Sequence, residues 1–305
     1  MTTVQNKALV SVIVPTYNRS HCLARTIQSV LDQTLSDWEL IIVDNHSSDG
    51  TDDLVASYSD LRIKYLKIHN DGVVAASRNK GIQAASGKYL AFLDSDDWWA
   101  PKKLEKSVEA LNAGADLVYH DLYLVSSGSL KPDFLKKRAR TRQLRTPVFD
   151  DLIFNGNTIF NSSVVVRREL MESIGGFSED KELIAAEDFD AWLRISKLSD
   201  AFARLPACLG YYMIGADNLS SSGRTIFTVN HIMRLYREEV QEKFKGIPGW
   251  VNYSLASSYY KAGVYDKSKL HALDTIKRHS SINFKIRAIL ILTLILVNRF
   301  FINKH

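Results

Sequence analysis

The chain has 305 residues, 46% of them hydrophobic and 24% charged, with a formal net charge of +5. That length suits about two domains, and the balance excludes wholesale disorder, collagen-like repeats and a disulfide-stapled miniprotein. Two cysteines, Cys22 and Cys208, lie far apart with no C-x-x-C pair and no Cys/His cluster at ligand spacing; neither a disulfide framework nor structural zinc is signalled, and a reducing, cytoplasmic compartment is expected.

The first residues, MTTVQNKALVSVIVPTYNRS, hold a short apolar stretch broken by Ser11 and followed by Pro15. This reads as a buried strand, not a signal peptide. β-branched runs then alternate with apolar residues at helical spacing. Strands are expected over Leu9 to Val14, Glu39 to Asp44, Ile63 to Ile68, Tyr89 to Leu93 and Asp116 to Tyr123, and helices near Ser20 to Gln33, Thr51 to Ser59, Val74 to Ser86 and Lys102 to Ala113. The alternation predicts an α/β domain with a parallel sheet covered by helices on both faces, and a ligand crevice beyond the carboxyl ends of its strands.

Where the strands run out the sequence turns polar: Pro15-Thr16-Tyr17-Asn18-Arg19, Asp44-Asn45 and Asp94-Ser95-Asp96-Asp97. One such carboxylate could simply cap the next helix. Three clusters meeting on one edge mark the crevice as the candidate site. Asp94, Asp96 and Asp97 supply hard oxygen donors suited to Mg²⁺ or Mn²⁺ carrying a diphosphate, and three acids in four positions repel one another without a cation.

Beyond Tyr123 the chain becomes polar and basic. Lys131 to Arg145 holds seven Lys/Arg against one acid, a local charge of +6, so the remainder is close to −1. No nucleic-acid reading motif accompanies it. A helix is expected after Pro147, a strand over Ser163 to Arg167, and a helix near Glu187; Gly175-Gly176-Phe177 lies between the last two. Leu255 to Leu273 reads as two helices joined at Gly263, similar to one tetratricopeptide-type hairpin, packed by a helix over Phe284 to Ile302. Within the latter the apolar run Ala288 to Val297, which contains Thr293 and is flanked by Arg287 and Arg299, is ten residues and too short to span a bilayer, which takes about 18 to 20. The expected organisation is a catalytic domain over 1–220 and a helical region over 221–305.

Five motifs, in order, resemble the inverting family-2 glycosyltransferases of GT-A fold: Val14-Pro-Thr-Tyr-Asn-Arg19, Val43-Asp-Asn-His-Ser-Ser-Asp-Gly-Thr51, Ala76-Ser-Arg-Asn-Lys-Gly-Ile82, Phe92-Leu-Asp-Ser-Asp-Asp97 and Ala186-Glu-Asp-Phe-Asp-Ala-Trp-Leu-Arg194. The resemblance covers about residues 9 to 215 and implies a mostly parallel, Rossmann-like GT-A sheet followed by α-helices. It places Asp44 at the base and ribose of a nucleotide-sugar donor, with Pro15, Tyr17 and Asn18 on the opposite wall. It assigns Asp94 and Ser95 to the nucleotide side, Asp96 and Asp97 to Mn²⁺ or Mg²⁺, and Arg78 to the diphosphate. The family usually has a second glycine where this chain has Val73 or Val74. Inverting transfer needs one base to take the acceptor proton. Asp188 is the expected base, with Glu187 and Asp190 as competitors on its turn.

The chain lacks the P-loop, G-x-G-x-x-G, H-E-x-x-H and G-x-S-x-G motifs. It also lacks the Q-x-x-R-W element of processive synthases. The expected activity is therefore transfer of one sugar, from a UDP-sugar above other donors, to a glycan or lipid-linked acceptor in surface polysaccharide synthesis. An inactive nucleotide-sugar-binding or scaffold protein is the alternative; nucleotidyl transfer, lacking a glycine-rich, lysine-bearing loop, is a third. The basic segment and the C-terminal helix predict peripheral contact with the inner membrane surface or, for the helix, coverage of the hairpin or a homo-oligomer interface.

Overall fold

The structure is a computed structural model that describes residues 8–126, 138–215, 222–243, 246–277 and 281–302. The chain separates into two compact units, one of Met1–Leu144, Thr158–Glu179 and Glu187–Asp217, the other of Arg145–Asn157, Asp180–Ala186 and Asn218–His305.

The first unit is built on β1 (Val10–Thr16), α1 (Ser20–Leu31), β2 (Trp38–Asp44), α2 (Thr51–Ala56), β3 (Ile63–Lys67), α3 (Val74–Ala84), β4 (Tyr89–Phe92), β5 (Trp98–Trp99), α4 (Lys103–Asn112), β6 (Leu117–Ser126) and β7 (Arg138–Ala139). Within this unit follow β8 (Val165–Arg167), α6 (Arg168–Ser173), α7 (Glu187–Ser196) and β9 (Phe202–Ile214); α5 (Val148–Asn155) belongs to the other. Among the described residues the strands form one sheet in the order β3-β2-β1-β4-β8-β6-β9-β5, with β7 on β6.

β1 is buried along its whole length, Ser11 included, which is why its apolar residues do not follow an in–out alternation. Val10, Val12 and Val14 join Leu23, Ile27 and Val30 of α1 and Leu104, Val108 and Leu111 of α4 in one core cluster. The other face receives α3, whose Gly81 lies so close that a Cβ there would sit 2.5 Å from Ile13 Cγ2. Helices thus cover both faces, and β1, β2, β3 and β4 are parallel.

β8 enters between β4 and β6 and runs against both. Its amino end, a 3₁₀ turn over Asn161–Ser163, therefore lies beside the carboxyl end of β4. The two-residue strands β5 and β7 fall below the length at which periodicity carries information. β9 is long, but Pro206 and Gly210 interrupt its pattern. Its pairing with β6 shifts register near Asp121, and Gly210 leaves room for Leu122 and Trp99. Both cysteines are free.

The second unit contains α5, a 3₁₀ turn over Lys181–Leu183, and the helices α8 (Ser222–Leu235), α9 (Arg237–Lys243), α10 (Gly249–Lys261), α11 (Tyr265–Lys277) and α12 (Ile282–Ile302). Gly156 ends α5 at a φ of 78°, against the ring of Trp250, whose indole N–H donates to the carbonyl of Ile153 at 2.8 Å. Gly263 makes the left-handed turn between α10 and α11. Ala256, Ala272 and Ala288 meet with Ile291 and Ile295 where α10, α11 and α12 converge, their small side chains permitting close approach. One face of α12 therefore covers the hairpin, and Asn298 donates to the Tyr260 hydroxyl at 3.1 Å. Of the basic segment, 131–137 lie outside the described residues. No helix among the described residues is long and apolar enough to cross a membrane.

Candidate active site

The polar residues at the carboxyl edge of the sheet fall into two groups. The first follows from the register of β1 on β2, which sets Pro15 beside Val43 and Thr16 beside Asp44. The Asp44 side chain is buried and accepts from the Ser47 N–H at 3.0 Å, the Ser47 hydroxyl at 2.5 Å and the Tyr65 hydroxyl at 2.9 Å. Asn18 adopts a left-handed backbone with φ of 50°, donates its N–H to Ser47 Oγ and accepts from the Ser48 N–H, both at 2.8 Å. Pro15 is buried in the strand, whereas Tyr17 is 56% exposed. The stacked rings of His46 and His69 lie in the loops after β2 and β3, with centroids 3.8 Å apart.

The second group centres on Arg78 in α3. Its guanidinium is buried and forked, Nη1 donating to Glu187 Oε1 at 2.6 Å and Nη2 to Asp94 Oδ1 at 2.8 Å. Burial opposes the charge, but Asp94 and Glu187 outweigh it and hold the guanidinium above its ordinary range. The ring of Phe177 lies 5.5 Å beneath the cation and packs on Phe92 and Trp192. Asn79, next in sequence, clamps the backbone of Phe177, accepting from its N–H at 2.9 Å and donating to its carbonyl at 2.8 Å. This explains the Gly175-Gly176-Phe177 motif: Gly176 has φ of 80°, and a Cβ there would lie 2.5 Å from Asn79 Oδ1.

The Asp94–Asp97 turn is fixed from below by α1 and from the side by β8 and β9. The Thr26 hydroxyl donates to the carbonyls of Ser95 and Asp97 at 2.9 and 2.8 Å, and Arg25 donates to the Asp96 carbonyl while stacking 3.5 Å over Trp98. Ser95 is buried. The Asp94 N–H donates to Ser162 Oγ at 3.1 Å, and Asn161 donates to the Asp94 carboxylate at 3.3 Å. Asp97 is buried; its Oδ1 accepts from the Met213 N–H at 2.9 Å, and its Oδ2 is buried without a hydrogen-bond partner. Burial, then Asp96 and Asp94, push the Asp97 carboxyl well up; burial, then Asp94, raise that of Asp96 against Arg19 and Arg25. Among the described residues no three His, Cys, Asp or Glu side chains are grouped to enclose a metal by themselves.

Asp188 is the second residue of α7, in its first turn, and is half-buried. Burial first, and the Glu187 carboxylate second, push its carboxyl up to about 7, against Arg78 and the Phe189 N–H, which donates to Oδ1 at 2.6 Å. Asp190, the other competitor, is committed to Arg194 at 2.7 Å. Burial and the fields of Asp97, Asp94, Asp96 and Asp188 together raise the Tyr212 hydroxyl of β9. The structure thus gathers Arg78, Asp94, Asp96, Asp97, Asp188 and Tyr212 around one region, with Asp44, Asn18 and Pro15 at the β1–β2 edge.

Sequence reasoning passed over Asn161, Ser162 and Tyr212. The first two open an antiparallel strand, whose amino end is the one that meets the crevice, while the rule for parallel sheets directs attention to carboxyl ends. Tyr212 sits on the unanticipated β9.

Residues 11–175 match the Glycosyl transferase family 2 profile. TuaG of Bacillus subtilis strain 168, a glycosyltransferase assigned by name to teichuronic acid biosynthesis, is 33% identical over 238 residues, 75% of this chain and 90% of its own. The Escherichia coli protein WfgD, named as a UDP-Glc:alpha-D-GlcNAc-diphosphoundecaprenol beta-1,3-glucosyltransferase, is 34% identical over 190 residues, 62% of this chain and 70% of its own. Among solved structures, the mannosyltransferase PcManGT of Pyrobaculum calidifontis, in complex with GDP-Man and Mn²⁺, superposes with a TM-score of 0.58 at 17% identity, covering 96% of this chain and 81% of its own. With the five ordered motifs, the strand-edge carboxylates and the GT-A-like sheet in agreement, the chain belongs to glycosyl transferase family 2.

Proposed function

We propose that the chain transfers a single sugar, with inversion, from a UDP-sugar to a hydroxyl of a glycan or lipid-linked acceptor in surface polysaccharide synthesis, working in the cytoplasm. The observation that carries this reading is Asp188: a half-buried carboxyl, pushed up to about 7, joined through Glu187 and the Arg78 fork to Asp94 of the strand-edge acidic turn. A base titrating near neutrality combines a useful ionised fraction with enough basicity to take a hydroxyl proton. The names of TuaG and WfgD support the surface glycan, the UDP-sugar and the lipid-linked acceptor.

In this proposal Asp188 takes the proton from the acceptor hydroxyl as its oxygen bonds to the anomeric carbon. The bond from that carbon to the diphosphate breaks on the opposite side, and the nucleoside diphosphate leaves with the electron pair. One carboxylate suffices because no covalent sugar–enzyme intermediate forms. Asp44, fixed by Ser47 and Tyr65, presents to base and ribose, with Pro15, Tyr17 and Asn18 as the facing wall; Asp94 and Ser95 border the nucleotide.

Asp96 and Asp97 would hold Mn²⁺ or Mg²⁺. The residues fit such an ion: Asp97 Oδ2 is an orphaned buried acceptor, Asp97 bears the repulsion of Asp96 and Asp94 and Asp96 that of Asp94, and ions of this kind complete their shells with substrate phosphate oxygens and water instead of a full protein cage. When bound, the ion would supply charge compensation to the leaving diphosphate. Arg78 enters as a positioning residue, because both of its terminal nitrogens are already engaged by carboxylates. Incubating the protein and Mn²⁺ with a panel of nucleotide sugars, and scoring nucleoside diphosphate release, tests the reading. Release from a UDP-sugar in preference to GDP- or dTDP-sugars is expected; no release from any of them, with an acceptor pool supplied, contradicts it.

A further inference from the structure

α12 is apolar on two opposite faces, and among the described residues only one of them is packed. Ala288, Ile291 and Ile295 are buried against α10 and α11. On the other side Ile282, Ile286, Ile289, Leu290, Leu294, Leu296 and Val297 remain between 45% and 68% exposed. At 3.6 residues per turn these seven fall within an arc of about 160°, which also holds exposed Thr293 and is centred opposite the packed face. An ordinary surface helix places charge there. Here charge stands at the two margins of the arc, Lys285 on one side and Arg287 on the other, and residues 281–305 contain Lys285, Arg287, Arg299 and Lys304 with no aspartate or glutamate.

We propose that the outward face of α12 lies in the interfacial layer of an anionic lipid bilayer, parallel to its plane, with Lys285 and Arg287 at headgroup level. A broad apolar arc flanked by cations is the amphipathic pattern that suits this interface, where buried apolar area and attraction to anionic headgroups act together. The helix is not apolar and long enough to cross. A second copy of the chain fits the face less well: α12 helices apposed in parallel would bring Lys285 and Arg287 against the same residues, cation on cation, and residues 281–305 hold no acid to compensate. The inference is independent of the catalytic reading, since it concerns a surface of the helical unit and is tested without donor or acceptor.

The test is flotation of the full-length protein with vesicles of phosphatidylcholine alone and of phosphatidylcholine containing phosphatidylglycerol, at low and high salt. The protein is expected to float with the anionic vesicles and to be released by salt. Lys285→Glu with Arg287→Glu should lower the partition coefficient by roughly ten-fold or more. Leu290→Glu and, separately, Leu296→Glu should abolish flotation while the circular dichroism spectrum and thermal transition stay those of the parent; both positions are exposed, so two independent variants guard against one that misfolds. Wild-type protein remaining in the soluble fraction at low salt overturns the proposal, as does flotation that neither apolar substitution reduces. A dimer in light scattering that Leu290→Glu dissociates, without vesicle binding, would make the face a contact between copies instead.

Discussion

Arg78 and Glu187 are 109 residues apart in the chain, and their side chains meet at 2.6 Å, Nη1 to Oε1. Because the same guanidinium also grips Asp94, the strand-edge acidic turn and the head of α7 are tied through one buried cation. Removing one partner of such a network leaves an uncompensated buried charge, which costs about 3–5 kcal/mol. Arg78→Met should therefore lower the unfolding free energy by about that amount, read as a lower urea midpoint. Arg78→Lys keeps the charge but not the fork, and should fold while losing about 10²-fold in kcat, the scale of a small misplacement of the base. Urea melts and initial rates check both.

Turnover should require a divalent cation. EDTA should abolish nucleoside diphosphate release and Mn²⁺ or Mg²⁺ should restore it. Asp96→Asn should raise the metal concentration needed for half-maximal UDP binding in calorimetry. An unchanged metal dependence in that variant would remove Asp96 from the proposed site.

The pH dependence of rate and stability should run in opposite directions. Asp188 must be ionised to act, so kcat/KM should rise with pH to a half-maximum near 7 and then level off. The folded carboxyl lies above its ordinary 3.8, so between about 4 and 7 the native state binds more protons than the unfolded one, and stability falls as pH rises through that window. Chemical denaturation at pH 5 and pH 8 reads the slope. Asp188→Asn should flatten it.

Glu39 behaves oppositely. Burial disfavours its charge, but Lys64 at 2.6 Å, Ser11 and Ser86 prevail and bring its carboxyl down to about 2. Its stabilisation is complete above about 4.5 and is lost as pH falls towards 2. Glu39→Gln should cost on the order of 2–3 kcal/mol at neutral pH and remove this part of the acid sensitivity. Melting temperatures across pH 2 to 7 would reveal it.

The parallel half of the sheet was legible because β1, β2 and β4 are buried along their whole length and read as apolar runs followed by a polar break, as β1 and β2 do before Tyr17 and Asn45, while the edge strand β3 is half-buried. What stayed hidden lies where that logic reverses. β8 runs antiparallel, so Asn161 and Ser162 reach the crevice from a strand's beginning, and β9 carries Pro206 and Gly210 inside its length. Asp188 was readable as a carboxylate at a helix start, but its displacement towards neutrality depends on burial and on Glu187, and no one-dimensional pattern contains that field. The engagement of Arg78 by two carboxylates was likewise invisible, because its partners are distant in sequence.

The measurement closest to the central claim is the kinetics of Asp188→Asn with the preferred donor. Amide replacement preserves shape and removes basicity, so kcat should fall by about 10² to 10⁴ while the donor dissociation constant stays close to that of the parent. A variant that keeps its rate at saturating donor, or whose defect lies wholly in donor affinity, would contradict Asp188 as the base.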